Sequence, residues 1–593
     1  MKKKYIGNKS LASRQTIAKS RRNSFQSIIR DPAIIFAGIV SLFLRFLSPP
    51  EVRLNSPHDD LLGVQTAKAL MDGDWLGDWN NRLFIKPPGY SFFLSFSQLF
   101  TNSSIVIVHL LYILAVVFFL TSLLLLSKDE SNIMRTFARV AFIFFVFNPV
   151  LFATEFSRLY RISFYTVLVL CFIAVGIRLI GNLDSLLPQG QTIPRLKRNP
   201  ILLTVFATGF LYAALVLVRN DSYWLLYPFL LVMAFTFARH LFKNGGNRKV
   251  QRRLLQSYVL IFSIGLIGFV MPVGSVMLKN KQVYDVFQIE NYYSGPFADA
   301  MKIWSSVEVE EEPRQSIPIS NAKRTKVYEI SPNASKLAPY LDGPAIENMT
   351  NWKSFNCANT GICNEAGSWF TYELRDAAVA AASIKSEREF QAFFDQISID
   401  IKEACTSGAL QCGLKPLGVG TLPIDQMNFK AVGESTVRAF ASILDFSGAE
   451  NVSRTETSSS PELNQYWHSV IKFKESPTNG SFSQWTTLGN TITLLKKMYS
   501  FATLAFLVLL LLIFLIQPKK FISPQYRSTL FFVIPAFLLF IGGMGIFETV
   551  LGFPAGFSLY TIPGQTVFLA ILFILIASNL DKLKGLKNYE NLN

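Results

Sequence analysis

Residues 498–518 read MYSFATLAFLVLLLLIFLIQP, 21 residues without one charged side chain. A helix needs about 20 predominantly apolar residues to cross the hydrocarbon of a bilayer, so this stretch predicts a membrane span. Residues 254–278, 528–547 and 557–580 meet the same test. Weaker apolar runs at 32–48, 105–126, 140–154, 162–177, 201–218 and 222–238 bring the expected total to about ten helices. Those at 140–154 and 162–177 are short, which suits tilted or protein-buried helices. Half of the 593 residues are hydrophobic and 16% are charged. One soluble core is a poor home for that excess.

Charge sets the expected orientation. Residues 1–30 hold nine Lys or Arg and no Asp or Glu, and the apolar run after them ends in Ser48-Pro49-Pro50, without a small-residue cleavage site. This predicts a retained first helix behind a basic cytoplasmic tail, residues 1–31. Segments 128–139, 178–198, 239–253, 519–527 and the tail after 582 then fall on the same side, and every one is basic. The net charge of +17 therefore reports topology, and nucleic acid is not an expected partner.

Two long segments are left for the other, extracytoplasmic side: 49–104, inside a transmembrane module 32–278, and 279–497, long enough for a domain of its own. Helices at 498–580 and a tail at 581–593 close the chain. The expected fold is thus mainly α and polytopic, with an extracytoplasmic domain of mixed, at least partly helical structure. In that domain Ser386-Glu387-Arg388-Glu389 is a capping-box pattern. Phe390, Phe393, Phe394, Ile397, Ile401 and Ala404 follow at helical spacing up to Gly408, as in an ordinary core helix. Cys357, Cys363, Cys405 and Cys412 lie in the same segment. Pairing 357–363 with 405–412 is one of three connectivities, and free thiols are the alternative. Neither pair has the spacing of a zinc site. Residues 453–461, rich in Ser and Thr, suit a surface loop.

The first loop carries the chemistry. Pro57-His58-Asp59-Asp60 places two acids after the first helix, and Leu61, Val64, Ala67 and Met71 mark one apolar face of an interfacial helix. Trp75 and Trp79 suit the headgroup boundary. The loop closes on Arg82-Leu83-Phe84-Ile85-Lys86-Pro87-Pro88-Gly89-Tyr90, where Pro-Pro predicts an extended backbone. Either acid could simply cap the helix near Leu61, but one cap needs one acid. The functional reading makes one carboxylate the general base on an acceptor hydroxyl, with Arg and Lys holding the phosphate of a lipid-linked donor.

Asp59-Asp60, then Gly73-Asp74-Trp75, then Lys86-Pro87-Pro88-Gly89-Tyr90 resemble, in order, the first extracytoplasmic loop of the GT-C membrane glycosyltransferases, such as protein O-mannosyltransferases and lipid A aminoarabinose transferases. Gly367-Ser368-Trp369-Phe370 and Leu374-Arg375-Asp376-Ala377 are similar to a group of bacterial membrane proteins of this class. The resemblance implies inverting transfer from a polyprenyl-phosphate sugar to an extracytoplasmic glycan, lipid or protein, in the bacterial cytoplasmic (inner) membrane. Asp59 or Asp60 would be the base, with Asp59 preferred. Some enzymes of the resembled class work without metal, so none is expected, although two acids leave a divalent cation possible.

Supporting residues follow from the topology. Glu155-Phe156-Ser157-Arg158-Leu159-Tyr160-Arg161 offers two cations three residues apart, one helical turn, able to share a phosphate or to anchor the interface. Arg219-Asn220-Asp221 resembles an Arg-Pro/Asn-Glu/Asp element of these enzymes, and a local ion pair is equally consistent. Ser558-Leu559-Tyr560-Thr561-Ile562-Pro563 resembles their Arg-Tyr-x-x-Pro element without its Arg. Lys86, Arg158 and Arg161 are therefore the expected phosphate ligands, with His58, Arg82, Tyr90, Glu155, Arg219, Asp221, Glu548 and Tyr560 as pocket candidates. Arg45 suits an intramolecular pairing role. A transporter or flippase of lipid-linked sugars and a non-catalytic membrane scaffold are the competing readings.

Overall fold

A computed structural model describes residues 28–47, 58–100, 104–127, 132–186, 195–243, 248–449 apart from 312–313, 315, 344, 346–351, 417 and 419, then 482–518, 521–551 and 557–590. The basic segment 1–27 and the Ser/Thr-rich 453–461 lie outside the described residues.

In chain order the main helices are α1 (Pro32–Leu47), α2 (Asp60–Asp72), α3 (Gly89–Ser97), α4 (Ser104–Leu124), α5 (Asn132–Val146), α6 (Arg161–Leu186), α7 (Arg195–Val218), α8 (Tyr223–Lys243) and α9 (Arg248–Tyr284). They continue with α10 (Pro296–Ser305), α11 (Phe370–Ala382), α12 (Glu387–Ser407), α13 (Phe429–Leu444), α14 (Phe482–Ile516), α15 (Pro524–Leu551) and α16 (Ile562–Glu590). Among the described residues, nine helices are long and apolar enough to cross a membrane: α4, α5 with the 3-10 turn after it, α6 to α9, and α14 to α16. α1 is apolar but only 16 residues long. At 1.5 Å per residue it spans roughly 24 Å, less than the hydrocarbon of a typical bilayer. The protein is a mainly helical, multi-pass membrane protein, and the described residues form isolated β-bridges rather than strands.

The run expected to be short at 162–177 is corrected by α6, which has 26 residues. Arg178 ends the apolar run without ending the helix, since arginine is a good helix former, and its guanidinium stacks 4.9 Å from the Phe118 ring centroid. α7 and α9 pack closely through small residues. A Cβ on Gly209 would lie 1.9 Å from the Gly265 carbonyl oxygen, and one on Gly268 would lie 2.4 Å from that of Phe206. One end of the bundle is tied by Arg139 to Asp31 at 2.8 Å, and by Asp581, which accepts from Ser127 Oγ at 2.7 Å and Tyr526 OH at 3.1 Å. The opposite end carries the first loop and is called the loop face below.

Segment 279–497 divides into two parts. A helical domain has its own core, in which Trp304, Phe390, Phe394 and Ile397 are fully buried. α12 follows its expected pattern: Ser386 caps the Glu389 amide, Glu389 accepts from the Lys385 amide, and Gly408 ends the helix with φ of 81°. Cys357–Cys363 and Cys405–Cys412 are both disulfides. α13, by contrast, leaves that domain and lies on α15, so Ala439 and Ile443 belong to the core of the membrane bundle.

Candidate active site on the loop face

α2 begins at Asp60, and Asp59 sits at its N-cap position without a side-chain cap bond. The capping role that competed for these acids is therefore not the one Asp59 plays. α2 also does not lie free on an interface. Leu61, Val64 and Ala67 are buried in the bundle core, and only Met71 of that face is exposed. α3 starts at Gly89, where a Cβ would meet the Leu217 carbonyl oxygen at 2.5 Å. Only glycine lets α3 approach α7 so closely, and this approach sets Lys86 against the bundle. The Pro87-Pro88 turn is not fully extended, because Pro88 has ψ of 0° as it enters the helix.

The two acids take different partners. Asp60 keeps no exposed side-chain surface and receives Arg158 through Nε at 2.9 and 3.0 Å and Nη2 at 2.7 Å. Asp59 keeps 29% of its side chain exposed, pairs with Lys86 Nζ, and lies 3.5 Å from Arg158 Nη2. Burial would lower the Arg158 pKa, but Asp60 outweighs it and holds the guanidinium above its usual value. Burial, and then Arg161, Arg158 and Arg219, hold the Lys86 ammonium well below its usual range.

Arg158 and Arg161 do not share a helical turn. Arg158 ends the short helix Thr154–Ser157 in extended conformation, and Arg161 opens α6. They converge instead on one ring: Lys86, Arg158 and Arg161 stand 5.0, 4.8 and 5.6 Å from the Tyr160 centroid. Arg161 Nε also donates to Tyr160 OH at 3.3 Å. Arg219 pairs with Asp221 and stands 5.4 Å from the Tyr560 ring centroid. Burial raises the Tyr160 pKa, yet Arg161 and Arg219 outweigh it and lower the phenol. Burial, and then Tyr160, hold Tyr560 well above its usual value. Asn220 donates to Glu290 at 2.6 Å, which joins the floor of the site to the helical domain.

The remaining candidates are dispersed around this centre. His58 is buried, and its ring stacks on Tyr372 of α11 with centroids 4.2 Å apart. Burial, and then Arg82, Lys86 and Arg375, bring its pKa down to about 3. Arg82 is half-buried, Tyr90 is buried close to Gly63, and Glu155 is half-buried on the short helix before Arg158. Glu548 is committed elsewhere, 3.0 Å from Arg438 of α13. Arg45 is also structural, donating to the Leu151 carbonyl at 3.0 Å and to Ser157 Oγ at 2.7 Å. Trp75 and Trp79 are not headgroup anchors, since their indole N–H groups donate to Asn280 and Glu387 at 2.7 and 2.8 Å.

Asp59, Lys86, Tyr160 and Arg161 line one cleft whose free volume is about 30 Å3. That admits one or two waters and no larger ligand. A larger cavity, about 200 Å3 around Lys323 and Glu365, shares no residue with the cleft. Among the described residues no group of three His, Cys, Asp or Glu side chains is arranged for a metal. Sequence reasoning assigned no role to Tyr160, Glu290, Tyr372 or Arg375. The Arg-Leu-Tyr-Arg spacing was the available signal for Tyr160.

These features define a multi-pass helical membrane protein with a buried acid–base cluster at one end of its bundle. Comparison with family models, with curated proteins and with solved structures yields no match for the chain.

Proposed function

We propose that the protein is a membrane glycosyltransferase of the GT-C type, moving a sugar from a polyprenyl-phosphate carrier to an extracytoplasmic glycan, lipid or protein acceptor. The observation that carries the reading is the meeting of Lys86, Arg158 and Arg161 around Tyr160, with Asp59 paired to Lys86. Asp59, the more exposed acid, is the base that takes the acceptor hydroxyl proton as that oxygen attacks the anomeric carbon. The bond to the donor phosphate breaks, and the configuration inverts. Lys86 and Arg161 take the phosphate that leaves, while Arg158 is held by Asp60 as a fixed positive wall. Donor phosphate draws Lys86 away from Asp59, so donor binding frees the base. The setting proposed is the bacterial inner membrane, with the loop face extracytoplasmic. The test is purified protein in lipid nanodiscs given radiolabelled polyprenyl-phosphate sugars and envelope lipid or glycan extracts. Release of polyprenyl phosphate that depends on the extract is expected, and no release from any donor removes the proposal.

A further inference from the structure

The transfer chemistry above leaves unused the sequence around Gly367–Trp369 and Leu374-Arg375-Asp376-Ala377. The structure folds it into a 3-10 turn running into α11, whose polar side meets the first loop. Arg375 is 1% exposed, and its Nε donates to the Asn81 carbonyl at 2.6 Å. Its Nη1 donates to Asn291 Oδ1 at 2.7 Å, and the Asn291 amide donates to the Phe84 carbonyl at 2.9 Å. Asn81 returns a bond to Asp376. The strip just ahead of Lys86 is thus held at the Asn81 carbonyl by Arg375 of α11, and at the Phe84 carbonyl by the backbone of Asn291, whose side chain Arg375 holds in turn. One turn earlier on α11, Tyr372 lies flat on His58, the residue before Asp59, with an interplanar angle of 16°.

A guanidinium is costly to bury unless its hydrogen bonds are made, and an apolar side chain would fill the same space against Phe390 and Phe297 without that cost. What the arginine adds is a rigid fork that fixes two acceptors in direction as well as distance. We infer that α11 is the positioning element of the site: Arg375 sets Lys86 through the Asn81 backbone, and Tyr372 sets Asp59 through the His58 ring. Neither residue touches substrate. The two halves of an ion pair that must open and reclose in register are thereby referred to one helix of the polar domain.

The inference rests on the proposed function only for its effect on turnover, so its test also uses a chemical readout. Full-length protein in nanodiscs is treated with trace acetic anhydride, and acetylation of Lys86 is measured by mass spectrometry relative to exposed Lys402 on α12. Arg375→Gln and Tyr372→Leu are expected to label Lys86 about tenfold faster than wild type, by freeing the loop for local opening. Tyr372→Phe, which keeps the stack, is expected to match wild type. Should Arg375→Gln fail to fold, Asp376→Ala, at a half-buried partner, takes its place under the same criterion. Unchanged Lys86 labelling in the Arg375 or Asp376 variant and in Tyr372→Leu overturns the inference, as does equal acceleration in Tyr372→Phe. Altered labelling in a wild-type background that transfers no sugar leaves the positioning role standing and removes the enzyme reading.

Discussion

Asp60 has no exposed side-chain surface and grips Arg158, while Asp59 looks into the cleft beside Lys86. Asp60→Asn should strand the Arg158 charge and cost about 3–5 kcal/mol, read as a lower melting temperature in detergent. Asp59→Asn, at the more exposed acid, should cost less, about 1–3 kcal/mol, because it leaves Lys86 without its counter-charge. It should nevertheless cut sugar transfer by roughly 10²–10⁴-fold. A second expectation concerns pH. The His58 pKa falls to about 3 in the folded protein, so below the ordinary value near 6.5 the unfolded chain takes up the proton first. His58 therefore contributes stability that is complete above about 6.5 and is lost as pH falls toward about 3. Melting curves at several pH values should show this slope in wild type and a shallower one in His58→Asn. The sequence supplied both acids and a preference for Asp59, but not which carboxylate faces the cleft. Which carboxylate faces the cleft depends on the N-cap backbone of Asp59, with φ of −118° and ψ of −97°, and no residue pattern encodes that turn. Tyr160 was overlooked for a related reason: its ring becomes a platform for three cations only once Lys86 of the first loop joins Arg158 and Arg161 of its own segment.

Among the elements, α12 was legible from end to end, because its cap, its apolar face and its terminal glycine are all local signals. α6 was read too short, since a charge tolerated by stacking on Phe118 looks in sequence like the end of a span. α13 gave no sign that it would leave the polar domain for α15, because an apolar helical face does not name its partner. The α7–α9 contact makes a further prediction. Gly209→Ala puts a methyl 1.9 Å from the Gly265 carbonyl oxygen, so the helices must separate. A loss of about 1–3 kcal/mol is expected, measured as a lower melting temperature in nanodiscs. Gly433→Ala, where a Cβ meets nothing within 4 Å, serves as the control.

At the scale of the whole molecule, alternation of the helices gathers the first loop, the 153–160 turn, Arg219–Asp221 and Tyr560 at one end, although they are hundreds of residues apart in sequence. The basic segments predicted this sidedness. With Lys385→Cys on the polar domain and Gln517→Cys at the opposite end, a membrane-impermeant maleimide applied to intact cells should label only the first. Gln517→Cys should react only after the membrane is broken, and labelling of both in intact cells would contradict the topology. The small cleft was beyond sequence reasoning, because its closure depends on how α2, α3 and the polar domain pack together. The proposed function makes the Asp59–Lys86 ion pair a base joined to a phosphate site. Its most direct test is transfer from radiolabelled polyprenyl-phosphate sugar by purified wild type, Asp59→Asn and Lys86→Ala, each shown to be folded by its melting temperature. The account predicts turnover in wild type and its loss in both variants, whereas wild-type turnover in either variant would contradict it.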